Sequence, residues 1–192
     1  MLADLLPLIS LMVAGLGTLV AILVLAAPSK NRLAAYVLAV FILVQSLANL
    51  YQYFLSDHSA ISQQLSFYLQ LSVLLAYFIT GPLLYAYTRL MTSAGFVLRA
   101  WHFKHILFAA ITIITFMSWQ YTASYFGLVV IVLLFGYNLS ALKHLAIYKG
   151  STEQNKLTLD PLSLSWLYRI VTYNLVSSVV IFILLVLLSM GI

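Results

Sequence analysis

Residues 5–33, LLPLISLMVAGLGTLVAILVLAAPSKNRL, decide the fold class. From Leu5 to Ala27 no side chain is charged, and a helix of that length rises about 33 Å, enough to cross a hydrocarbon layer of about 30 Å. The run then stops at Ala27-Pro28-Ser29-Lys30-Asn31-Arg32, where a proline and two cations mark a turn, and becomes apolar again at Leu33. An apolar run of full membrane length, a basic turn, and a second apolar run make a transmembrane hairpin with its turn on the cytoplasmic side.

The rest of the chain repeats that pattern. Hydrophobic residues make up 64% of the 192 positions and charged residues 7%, too few to cover a water-facing surface. Further apolar segments run over 33–55, 65–90, 101–119, 125–147 and 166–190, so the sequence predicts an all-α integral membrane protein. Its expected form is a single transmembrane domain over 1–192, a six-transmembrane-helix bundle. Threaded in that order, all nine Lys and Arg residues fall on one side, with Arg89 and Arg169 at span ends. Asp57 and His58 fall in the opposite loop. The positive-inside rule makes the basic side cytoplasmic and puts both termini on the extracytoplasmic side. Trp101 and Trp119 bracket the fourth segment, roughly 27 Å apart on a helix, which suits two interfacial aromatic belts. The polar stretch from Lys149 to Ser165 reads as a cytoplasmic loop, with Asp160-Pro161 starting a turn. The N-terminus has no basic leader region and no small-x-small cleavage site, so the first segment is expected to stay as a helix. Residues 1–95 and 96–192 show no similarity that would mark an inverted repeat.

Charge and composition also narrow the function. The net charge of +5 is dispersed at helix ends rather than gathered in a stripe, so anionic lipid headgroups, not nucleic acid, are the expected counter-charge. Asp4, Asp57, Glu153 and Asp160 all lie in loops or at the N-terminus, leaving no carboxylate relay at mid-membrane for ion coupling and no acid pair for an intramembrane protease. No Ser–His pair is placed for acyl transfer, and the absence of Cys excludes thiolate chemistry and disulfides within the chain. The expectation is a protein without enzymatic activity, catalytic residue, metal site or cofactor.

The polar residues inside the spans are the candidate site. Gln45, Asn49 and Gln52 recur at i, i+4 and i+7 and share one face of the second segment, where lipid offers no hydrogen bond. With Gln70 and Tyr77 on the third segment they form a candidate intramembrane polar cavity. The alternative for the same residues is interhelical hydrogen bonding that holds the bundle together. Gly81-Pro82 is a candidate hinge, because Pro82 removes a backbone donor and is expected to kink the helix near Phe78. Asn138 beside Tyr137, and Asn174 beside Tyr173, put further polar groups on the fifth and sixth segments. Small residues at Ser10, Ala14 and Thr18, and at Gly17 and Ala21, allow close helix contact, with packing inside the bundle expected over contact with another chain. His102 and His105, with His144 at similar depth, have the spacing for a shared haem or metal. Contact with headgroups and water is the expected use of interfacial histidines lacking an acidic second layer.

One resemblance adds to this reading. The run Gly81-Pro82-Leu83-Leu84-Tyr85-Ala86-Tyr87-Thr88-Arg89, then Phe96-Val97-Leu98-Arg99 and Trp101-His102-Phe103-Lys104-His105, resembles the third-to-fourth helix region of membrane-embedded AraC-type transcription regulators of bacteria. Pro28-Ser29-Lys30-Asn31-Arg32 and Leu164-Ser165-Trp166-Leu167-Tyr168-Arg169 look like further pieces of that pattern. In that family a multi-helix membrane part precedes a cytoplasmic helix-turn-helix domain. The resemblance implies a sensory or regulatory role in a bacterial inner membrane, passing a signal to a partner. This chain has no helix-turn-helix and is expected to end outside, so direct nucleic-acid binding is not expected of it. A small structural or assembly subunit of a larger membrane complex is the alternative. In either case the expected partner is another membrane protein or a second copy of the chain.

Overall fold

The computed structural model describes residues 2–29, 31–56, 63–93, 96–99, 111, 123–155 and 161–189. Among them are five helices and no strand: α1 (Leu2–Ala26), α2 (Arg32–Ser56), α3 (Gln63–Thr92), α4 (Ala123–Asn155) and α5 (Pro161–Ser189). Three contain a stretch long and apolar enough to cross a membrane: Pro7–Ala26, Arg32–Tyr51 and Val129–Gly150. The all-helical membrane character expected from the sequence therefore holds. The expected fourth span, 101–119, lies outside the described residues apart from Ile111.

The chain forms two compact units, residues 1–83 and 84–192, with the division falling inside α3. In the first, α1 and α2 make the hairpin expected from the basic turn. The turn residues build it. Ala27 N–H donates to the Leu23 carbonyl at 2.9 Å, finishing α1 before Pro28. Asn31 then caps α2: its Oδ1 accepts the Ala34 N–H at 3.1 Å, its carbonyl accepts the Ala35 N–H, and its own N–H donates to Ser29 Oγ. An Asn in this position satisfies one of the orphan donors that every helix start leaves.

α1 meets its neighbour through small residues. Ala14 and Ala21 are buried, Ala21 wholly, while Leu8, Met12, Leu16, Leu19 and Leu23 around the rest of the helix stay exposed. Between the two alanines lies Gly17, where any Cβ would collide with Ser46 Oγ of α2. The small-residue spacing thus serves packing inside the chain, as expected, with contact at Ala14, Gly17 and Ala21. Thr18 is on the exposed side and returns its hydroxyl to the Ala14 carbonyl at 2.9 Å. α3 remains one helix through Gly81 and Pro82, both buried.

In the second unit α4 packs on α5, and since only residues 156–160 join them they run antiparallel. The core includes Ala141 and Leu145 of α4, Leu167 and Val171 of α5, and Leu84 and Thr88 of α3. Tyr87 of α3 meets Trp166, near the start of α5, edge to face with centroids 6.5 Å apart. The polar stretch read as a loop from Lys149 to Ser165 is mostly helix: α4 continues to Asn155 and α5 begins at Pro161. Leaving the apolar layer does not end a helix. What restarts the chain is Pro161, whose fixed φ and missing N–H suit a first helical position.

The end of α3 meets α4 through a few side chains: Tyr85 touches both Tyr137 and His144, two turns apart on α4, and Arg89, one turn further along α3, touches His144.

Candidate functional site

Polar groups inside apolar helices have few partners available, and in most of this chain they use their own backbone. The hydroxyls of Ser46, Thr80, Thr88, Thr92, Ser140 and Ser178 each donate to the carbonyl four residues earlier, at 2.7–2.9 Å. Back-bonding of this kind satisfies a hydroxyl without a second helix.

The same habit governs the residues singled out on α2. Asn49 Nδ2 donates to the Gln45 carbonyl at 2.9 Å, so this amide closes on its own helix. Gln45 is half-buried. Tyr77 of α3 packs against Ala48 and Tyr51 of α2, which places it beside the Asn49 turn. The side chains of Gln52 and Gln70 lie outside the described residues. Of the five candidate cavity residues, then, Asn49 bonds the Gln45 backbone and Tyr77 lies on the same stretch of α2. Gly81 and Pro82, the candidate hinge, sit buried within unbroken α3.

A second cluster, in the other unit, is assembled across helices. Arg89 Nη1 lies 3.1 Å from His144 Nδ1 and 3.2 Å from Nε2. Both nitrogens flank one ring carbon, so an atom nearly equidistant from them sits by that carbon rather than along either lone pair. Tyr85 Oη is 3.3 Å from His144 Nε2, the tautomer deciding which of them donates. The Tyr85 ring lies 5.7 Å from the imidazole and 6.1 Å from the Tyr137 ring. α3 ends just beyond. Ser93 N–H donates to the Arg89 carbonyl, Phe96 N–H donates to the Ser93 carbonyl, and this turn brings the Phe96 ring to 5.1 Å from the Arg89 guanidinium. Arginine over an aromatic face is a favourable cation–π contact.

This cluster is incompletely satisfied. Arg89 Nε is buried without a hydrogen-bond partner, and none of the contacts Arg89 makes among the described residues is a carboxylate. Six residues before His144 along α4, Asn138 is 1% exposed, and neither its Nδ2 nor its Oδ1 has a hydrogen-bond partner among the described residues. Thr172 Oγ1 of α5 is likewise buried and unpaired. Such atoms are uncommon in native interiors, each costing about 1–3 kcal/mol.

Among the described residues no three His, Cys, Asp or Glu side chains gather to hold a metal. His144 is engaged by Tyr85 and Arg89, while His102 and His105 lie outside the described residues. Sequence reading singled out Tyr137, Asn138 and His144, met Tyr85 within the run Gly81 to Arg89, and treated Arg89 as a span end. The spacings Tyr85–Arg89 and Tyr137–His144 each mark one helix face, but which helix faces which is not written in either segment. No protein-family model, no curated protein and no solved structure matches the chain.

Proposed function

We propose that this chain is a membrane-embedded sensory or regulatory module, without catalysis of its own, that passes a change in helix packing to a partner in a bacterial inner membrane. The observation that carries the reading is Asn138. A whole amide left unbonded at 1% exposure within α4 favours any rearrangement that gives it partners. A second packing that satisfied this group would recover that cost, and two packings of the helix pair, one with the amide bonded and one without, are the element a sensor needs.

The topology proposed with it is six spans, with both termini outside. The three helices apolar enough to cross a membrane support this. Residues 101–119 supply a further apolar segment of suitable length, and from Ala123 to His144 α4 rises about 32 Å, close to the hydrocarbon thickness. The regulatory role also has the support of the resemblance in Gly81 to Arg89 and the segments after it.

Because the chain has no cysteine, a pair can be introduced for spin labels without background. Labels at Val132 of α4 and Val180 of α5, both exposed, report the spacing of the hairpin in nanodiscs. Two distance populations are expected in the otherwise native chain and one in Asn138→Leu. A single, identical population in both overturns the reading. Stable co-purification with a larger complex, joined to that result, would make the chain an assembly subunit instead.

A further inference from the structure

The proposed function uses Asn138 and leaves the cluster around Arg89 without a task. Arg89 is permanently charged, since no protein environment removes its proton. Its neighbours are the His144 imidazole, itself held by the Tyr85 phenol, and the Phe96 ring, and one donor of its fork, Nε–H, is buried with no acceptor among the described residues. A half-buried cation with neutral partners and an unused donor is electrostatically incomplete. The adjacent side chains add positive charge: Lys143 next to His144 and Arg99 three residues beyond Phe96 are both exposed.

Position defines what can complete it. Arg89 is three residues from the end of α3, and His144 is six residues before Gly150, where the apolar stretch of α4 ends. Both fall at the level where a hydrocarbon layer gives way to headgroups. The oxyanion available there is phosphate, whose geometry an arginine fork matches with two parallel hydrogen bonds. The Phe96 ring and the His144 imidazole, both in contact with the guanidinium, restrict that fork, which lowers the ordering cost of binding.

We propose that Arg89, with His144, Tyr85 and Phe96 fixing it, is a binding site for one phosphate oxyanion at the basic end of the bundle. The proposal rests on the membrane-embedded reading of the chain but not on the switch at Asn138, which the label distances test separately. A phosphodiester headgroup of an anionic lipid and a free phosphate are the two sources of this chemistry.

The test measures lipid retained by the full chain after purification in mild detergent, using native mass spectrometry with added phosphatidylglycerol or phosphatidylcholine. A parallel arm follows thermal unfolding of the delipidated chain with inorganic phosphate. Retention of one phosphatidylglycerol, falling about tenfold in Arg89→Gln but not in Arg99→Gln, establishes the site with a lipid as its source. Stabilisation by inorganic phosphate that Arg89→Gln abolishes, without selective lipid retention, establishes it for a soluble phosphate. Should Arg89→Gln fail to fold, Arg89→Lys keeps the charge but loses Nε–H and the fork, and is expected to bind about threefold more weakly. Equal retention and equal phosphate response in the native chain and the folded Arg89 variant overturn the proposal.

Discussion

The two compact units treat buried polarity in opposite ways. In residues 1–83 the helix-interior side chains of Thr18, Ser46, Asn49 and Thr80 close onto a carbonyl one turn back on their own helix, while Ser29 and Asn31 bond the backbone at the turn that starts α2. In residues 84–192 some do the same, but Arg89 and His144 reach across from separate helices, and Arg89 Nε, both Asn138 amide atoms and Thr172 Oγ1 have no hydrogen-bond partner among the described residues. Among the described residues every buried side-chain atom lacking a hydrogen bond belongs to the second unit. Self-bonded polar groups tolerate an apolar environment and are indifferent to how helices are arranged. Cross-helix and unpaired groups depend on that arrangement. The first unit therefore reads as scaffold, and the second as the part whose packing has something to gain by changing.

The strongest way to break the comparison is to disturb the scaffold. A side chain at Gly17 must displace Ser46, which is held in place by its bond to the Ile42 carbonyl. Gly17→Leu is expected to destabilise the α1–α2 hairpin by about 3 kcal/mol, read as thermal unfolding in detergent. The same substitution at Gly15, where a Cβ meets nothing within 4 Å, is the control and is expected to leave unfolding nearly unchanged. If both glycines tolerate Leu equally, the first unit is not the tightly packed partner in this contrast.

Asn138 and Asn49 sharpen it next. Replacing a buried amide that makes no hydrogen bond removes a cost rather than a contact, so Asn138→Leu is expected to raise stability by about 2 kcal/mol. Asn49→Leu removes a satisfied amide on a half-buried face and is expected to lie within about 1 kcal/mol of the native chain. The opposite order, with Asn49→Leu stabilising and Asn138→Leu destabilising, would show that Asn138 is already bonded in the membrane and would remove the proposed switch.

How much of this was legible in sequence follows from the range of each interaction. The α1–α2 hairpin was readable because its determinants are local: one apolar run, then Pro28, a basic turn and the capping Asn31. The contact face of α1 was half-readable. Four-residue spacing picked out Ala14 and Ala21, but only the neighbour's position shows that Gly17 faces Ser46 while Thr18 faces outward. The end of α4 was misplaced, because polarity was taken to end a helix that continues to Asn155. The Arg89 cluster was the least legible. Its residues are 55 positions apart in Arg89–His144, and apolar spans carry no record of which neighbours they choose. The polar row on α2 was visible for the reverse reason, since i, i+4 and i+7 spacing lies within one helix. Such spacing shows a shared face without showing that Asn49 spends its amide on the Gln45 carbonyl.

The finest test compares two contacts within the second unit, one dependent on arrangement and one not. Phe96 lies beyond the end of α3 and reaches Arg89 from there, so Phe96→Leu loses a cation–π contact between segments and is expected to cost about 0.5–1 kcal/mol. Thr88 is fully buried, yet its hydroxyl bonds the Leu84 carbonyl on its own helix. Thr88→Val keeps the shape and removes donor and back-bond together, leaving no unpaired side-chain atom, and is expected to change stability by less than about 0.5 kcal/mol despite the deeper burial. If burial alone governed these helices, Thr88 would be the more sensitive position. A smaller loss at Thr88 than at half-buried Phe96, measured by the same unfolding assay, is what the distinction between self-bonded and cross-segment groups requires.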